Sequence, residues 1–147
     1  MSKTRWFLLA LLGALLVGLT ACGNQSADPA QRVDLINSDP PVPGNAETGR
    51  ELFLNTLRLT GSPNCVSCHV VEAGQVEVVG PSLVGIARVA GERAGGQSAE
   101  AYLYRSIVAP NEYIVEGYDA GIMPRTYALY LNQQQVADLM AYMLTLE

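Results

Sequence analysis

The only histidine of the chain stands in one pentapeptide, Cys65-Val66-Ser67-Cys68-His69, beside two of its three cysteines. Chemistry that needs sulfur or imidazole ligands must be built at that point, and the rest of the domain must fold around it. No His-His ligand pair exists within the chain. A structural zinc site takes four protein ligands, and after Cys65, Cys68 and His69 only the distant Cys22 is left. A thioredoxin-like C-x-x-C sits in a βαβ pattern, and the sequence shows none. A disulfide across two intervening residues would leave His69 without a role.

The 147 residues suffice for one ordinary domain with a real core. With 49% hydrophobic and 16% charged residues, the chain is not disordered overall. A net charge of −5 with nine basic residues argues against nucleic acid, which needs clustered Lys and Arg. Met1 to Trp6 carries Lys3 and Arg5, Phe7 to Leu19 is uncharged and apolar, and Thr20, Ala21 and Cys22 close the run. That order matches an export signal. Its 13 apolar residues are short for a span, which needs roughly 20. An ordinary cleaved signal and an uncleaved anchor are two readings. In a third, Leu19-Thr20-Ala21-Cys22 resembles the bacterial lipoprotein signal, which implies removal of residues 1–21 and lipidation of Cys22. Two or more acyl chains there would anchor the chain stably. All three readings export it. Cleavage before Cys22 leaves 7 basic and 14 acidic residues, a net charge of −7 and no lysine.

Residues 22–44 are then a lipidated start and a polar linker, with prolines at 29, 40, 41 and 43. A flexible linker of 22 residues has an r.m.s. span of roughly 25 Å. Residues 45–147 read as one predominantly α-helical domain of helices joined by Gly-rich loops. Asn45 caps a helix with Ala46, Gly49, Leu52, Phe53, Thr56 and Leu57 on its apolar side. Ser98 caps a second, with Ala101, Tyr104, Ile107 and Val108 on one face and Pro110 ending it. Asn132 and Gln135 form a capping-box variant ahead of Val136, Leu139, Met140, Met143 and Leu144. Residues 74–96 and 111–130 read as loops, with Val76, Val78 and Val79 able to form a short extended piece.

The pentapeptide has one use that employs all three of its ligating residues. Thiols about one helical turn apart can reach two vinyl groups on one side of a porphyrin and form two thioethers. The adjacent imidazole then lies under the iron. C-x-x-C-H is the attachment sequence of c-type haem, so one covalently attached haem c is expected on Cys65 and Cys68, with His69 as proximal iron ligand. For the other face of the iron there is no second histidine and, in the lipidated form, no lysine or free amino terminus. Met123, Met140 and Met143 remain, with tyrosine or water as lesser options. Met140 and Met143 fall on the apolar stripe of the last helix and read as core. Met123 lies in the loop Gly121-Ile122-Met123-Pro124, where local backbone can aim its sulfur.

Residues 45–147 resemble a class I monohaem cytochrome c, through several motifs in that family's order. Gly49-x-x-x-Phe53 and Leu139-x-x-Tyr142 resemble its pair of packed terminal helices. Gly80-Pro81-Ser82-Leu83-Val84-Gly85 resembles its G-P-x-L-x-G segment. The resemblance implies that the Pro81 carbonyl accepts the free ring N–H of the proximal histidine, fixing its tautomer and basicity. Met123-Pro124 resembles the axial M-P pair, 54 residues after His69. The resemblance also implies a propionate partner near Arg88, one residue away from the family's usual arginine position. The family's tryptophan at the propionates has no counterpart, because Trp6 is in the signal; Tyr104, Tyr113, Tyr118 and Tyr127 are substitutes.

A haem with both axial positions filled suits single-electron transfer and not substrate binding, so the chain reads as an electron carrier and not an enzyme. The expectation is a lipid-anchored protein on the outer side of the cytoplasmic membrane, passing electrons between respiratory or photosynthetic complexes. A basic or mainly apolar partner surface would suit its acidic, lysine-free surface. Two other readings stay open: a fixed cytochrome c subunit of a quinol:acceptor oxidoreductase or oxidase, and a haem peroxidase or gas sensor with an open distal site. No nucleic acid and no small-molecule substrate are expected.

Overall fold

The first helix among the described residues, α1 (Ala46–Leu54), starts where Asn45 supplies what the first turn lacks: its side-chain oxygen accepts the Thr48 N–H at 2.9 Å. The computed structural model to which it belongs describes residues 43–54, 62–76, 79–93 and 95–147. The signal, Cys22, the linker as far as residue 42, Thr56, Leu57 and Val78 lie outside the described residues. Among the described residues four more helices follow: α2 (Ile86–Val89), α3 (Ala99–Val108), α4 (Tyr127–Tyr130) and α5 (Gln133–Met143). Two 3₁₀ turns span Cys65–Ser67 and Ala90–Glu92, and there is no strand among the described residues. Val76 and Val79 are in no strand, and residues 77 and 78 between them lie outside the described residues. No helix among the described residues is long and apolar enough to cross a membrane.

Both other expected caps are made. The Ser98 hydroxyl accepts the Ala101 N–H at 3.1 Å. Asn132 and Gln135 exchange side-chain bonds with each other's backbone N–H, both at 2.9 Å, and so close the capping box of α5. Chain ends that would otherwise leave donors unsatisfied are thereby fixed in sequence register. The helix α3 buries more of its circumference than the expected stripe. Tyr102, Leu103, Tyr104, Ile107 and Val108 are all buried, whereas Ala101 is half-buried. Tyr102, Leu103 and Ile107 belong to the core and also line a cleft, so a single stripe understates the contacts of α3. The short helices α2 and α4 fall in segments expected to be loops; four residues are too few to display a helical period.

The helices α1 and α5 make the most extensive packing in the fold. Gly49 on α1 sits against the α5 backbone so closely that a Cβ there would collide with the Asp138 carbonyl. One turn on, the Phe53 and Tyr142 rings meet edge to face, with centroids 5.4 Å apart at 61°. Asp138 itself is 4% exposed, and one oxygen of its carboxylate, Oδ1, takes two hydrogen bonds. It accepts the Asn45 N–H at 2.7 Å and the Gln134 amide at 2.8 Å. The start of α1 is thus held on the side of α5. Gly49→Ala should lower stability by about 1–3 kcal/mol, because the two backbones must separate to admit a methyl group. Gly91→Ala, whose added Cβ would meet only ordinary contacts from 3.7 Å outward, should stay within about 0.5 kcal/mol of the parent. Denaturant unfolding of both variants measures the difference.

Candidate functional site

Cys65, Cys68 and His69 leave the backbone along one tight turn. Asn64 caps it: its side-chain oxygen accepts the Ser67 N–H at 3.1 Å, and the Ser67 hydroxyl donates to its carbonyl at 2.7 Å. The Cys68 and His69 amides both donate to the Cys65 carbonyl, at 3.1 and 3.0 Å. Both thiols are half-buried and unpaired, so no disulfide joins them. Burial pushes the Cys65 thiol up to about 12, with Cys68 adding to the shift. Among the described residues, no group of three or more His, Cys, Asp or Glu side chains could hold a metal ion by itself.

The segment after this turn folds back onto it. Gly80 N–H donates to the Cys68 carbonyl and Leu83 N–H to the Val70 carbonyl, both at 2.9 Å. Between these two bonds the Pro81 carbonyl reaches His69 Nδ1 at 2.8 Å. A carbonyl only accepts, so Nδ1 carries the proton and Nε2 is left with its lone pair. Burial holds His69 below the ordinary imidazole value, while the bond to Pro81 works against that shift. The ring is therefore neutral at pH 7, as a metal-ligating imidazole must be. Gly80 has no side chain for a steric reason: a Cβ would lie 2.6 Å from His69 Cε1.

All three residues of the turn line one cleft, which encloses about 1180 Å³ including its open mouth. Its wall is mostly apolar and includes Phe53, Leu83, Ile86, Leu103, Ile107, Leu131, Leu139 and Met143. Met123 and Pro124 belong to the same wall, so the structure brings the loop methionine to the cleft that the cysteine turn lines. Met123 is half-buried on irregular backbone, after Gly121 at φ 83°. The Gly121 N–H donates to the Asn111 side chain at 2.9 Å. Met140 is buried in the core away from the cleft, as expected. Met143 differs, since it is both buried in the core and part of the cleft wall.

Arg88 is not brought to the site. It is exposed on α2, and Gly85 faces its guanidinium. The arginine in the cleft wall is Arg93, five residues later and past the second 3₁₀ turn. Its Nη1 donates to the Tyr102 hydroxyl at 3.2 Å, and its guanidinium carbon lies 5.9 Å from the centre of the Tyr102 ring. Sequence reasoning missed Arg93 because the irregular turn before it hides which way residue 93 faces. Of the four tyrosines singled out, Tyr113, Tyr118 and Tyr127 line the cleft and Tyr104 is in the core. Burial raises the Tyr127 hydroxyl above the ordinary phenol value, with Cys65 and Cys68 adding to the shift.

The donor set fits a porphyrin. Two adjacent thiols, a neutral imidazole with a fixed tautomer and a thioether sulfur share one broad apolar cleft, and one arginine stands in its wall for carboxylates. Comparison with known proteins points the same way. The family model described as cytochrome c matches residues 46–147. No curated protein sequence matches the chain.

Proposed function

The chain belongs to the cytochrome c family, and from that premise we propose a class I, single-haem electron carrier tethered outside the cytoplasmic membrane. Haem-based electron transfer and a covalently attached haem c follow from the family, with Cys65 and Cys68 fitting its C-x-x-C-H motif. When bound, the haem supplies one-electron exchange between ferrous and ferric iron. The protein's own part is to hold, ligate and shield. Cys65 and Cys68 make the two thioethers. His69 ligates through Nε2, with Pro81 fixing the ring and raising its basicity. Met123 would supply the second protein ligand to the iron, and a thioether ligand would favour the ferrous state. Arg93, held by Tyr102, replaces Arg88 as the partner of a haem carboxylate.

The observation that carries this reading is that Met123 and the Cys65-to-His69 turn line one apolar cleft. With both His69 and Met123 available to the iron, no position would be left for a substrate, which favours transfer over peroxidase or sensor chemistry. Met123→Ala should abolish the methionine–iron charge-transfer band and let the ferrous protein bind carbon monoxide. Met143→Leu should retain the band. The reverse result would move the axial ligand to α5.

Anchoring is proposed at Cys22, on the strength of the lipoprotein-like end of the leader. Cys22→Ala should shift the protein from the membrane fraction to the soluble fraction with its spectrum unchanged. Continued membrane binding would favour an uncleaved anchor.

The partner surface follows from the mouth of the cleft. Tyr113, Ile114 and Ile122 stand there with exposed side chains. The loop 111–122 that carries them holds Glu112, Glu116 and Asp119 and no basic residue. This pattern suits a partner with an apolar centre and a basic rim. Stopped-flow rates with a lysine-rimmed redox protein should fall roughly tenfold between 0.01 and 0.5 M salt. Rates independent of salt would leave only the apolar contact.

A further inference from the structure

Two hydrogen bonds outside the ligand set tie the segment before Cys65 to the segment after Met123. The Tyr127 hydroxyl donates to the Pro63 carbonyl at 2.8 Å. The Ser62 and Thr126 hydroxyls share a bond of 2.9 Å. The partners are neighbours in sequence on both sides, 62–63 with 126–127, so the two bonds close together as one clasp. On the first side the chain passes directly into the Asn64-capped turn of Cys65 and Cys68. On the second side, only Pro124 and Arg125 separate Met123 from Thr126, and proline restricts the backbone there. Tyr127 is 5% exposed, so water competes little for its hydroxyl.

The chain gives Met123 weaker support from its other direction. Residues 111–114, 116, 117 and 119–122 are exposed, and the loop is tied across its base by the Asn111–Gly121 bond. A loop so exposed has little core packing with which to hold a side chain against a competing ligand. The loop also meets α3, through the Tyr113 ring edge to face on Tyr102 at 5.7 Å and the Arg105–Glu112 ion pair at 3.5 Å, but these fasten residues ten or more positions before Met123, whereas Thr126 follows it by three.

We infer that Tyr127 and Thr126 are positioning residues whose clasp onto Ser62 and Pro63 sets how firmly Met123 occupies the axial position. The inference rests on the reading of Met123 as the axial ligand. Loss of the clasp frees the methionine segment to swing from the cleft while the Cys65, Cys68 and His69 attachments stay intact. The effect is therefore selective for the sixth coordination position.

Imidazole added to the ferric, haem-loaded protein competes for that position and is the probe. Tyr127→Phe keeps the ring and deletes the hydroxyl. Its imidazole affinity should rise about fivefold, the equivalent of one net buried hydrogen bond. The methionine–iron band should fade at correspondingly lower imidazole. Ser62→Ala and Thr126→Val should act in the same direction and be less than additive together, since either one breaks the same bond. They also serve if Tyr127→Phe does not fold. Thr145→Val is the control: it removes a hydroxyl-to-carbonyl bond of 2.6 Å to Tyr142, and residue 145 lies outside the cleft wall. It should lower stability without changing imidazole affinity. Clasp variants that lose stability as this control does, with the parent's imidazole affinity and band, would overturn the clasp and leave the ligand assignment standing. A parent protein without the band would overturn the ligand assignment, and the clasp with it.

Discussion

At Gly49 the backbone of α1 rests on the backbone of α5, with no side chain between them. That contact fixes how near the two helices come, and the proximity decides where Phe53 and Leu139 stand. Both line the cleft, so the distance between two backbones outside the site sets part of its wall. The buried Asp138 carboxylate reinforces the contact from the same stretch of α5. It costs free energy to bury a carboxylate, and two N–H donors, one from the start of α1, offset that cost. An aspartate on an otherwise apolar helix face is here a way of fastening one helix to another.

The core and the cleft are not separate regions. Phe53, Leu83, Ile86, Leu103, Ile107, Leu131, Leu139 and Met143 belong to both. About a hundred residues form a shell whose inner apolar surface needs a non-polypeptide filling to be removed from water. A haem held by two thioethers meets that need without any binding equilibrium, because its bonds to Cys65 and Cys68 do not dissociate. Fold and cofactor are consequently one problem. The same side chains that stabilise the domain shield the redox centre, and an apolar shell of this kind helps set an iron potential.

What the sequence made legible has a common physical character: it was local. Caps at Asn45, Ser98 and Asn132 depend on residues three apart, and the cysteine turn on residues three apart with an adjacent histidine. The Gly49–Phe53 and Leu139–Tyr142 pairs were readable because each lies within one or two turns of a regular helix. The bond from His69 to the Pro81 carbonyl was anticipated by resemblance, and the two flanking backbone bonds explain why it forms. The unreadable part depended on irregular chain. The direction of residue 93 follows a short helix and a 3₁₀ turn, and no periodic rule carries a side-chain direction through such a junction. Asp138 and the pairing of 62–63 with 126–127 bridge 93 and 64 positions, where a single sequence offers no signal of contact.

The placing of Arg93, and not Arg88, in the cleft wall shows how such a junction alters electrostatics. An exposed guanidinium at Arg88 would interact with a haem carboxylate through water, where screening and side-chain entropy leave little net attraction. Arg93 is half-buried and already oriented by the Tyr102 hydroxyl and ring, so less freedom is lost when it pairs. It is also the one arginine in the cleft wall among the described residues, in a domain that has no lysine. A solitary, pre-oriented cation can neutralise one carboxylate without making the mouth of the cleft basic. The loop beside that mouth keeps Glu116 and Asp119, so the single arginine does not reverse its acidic character.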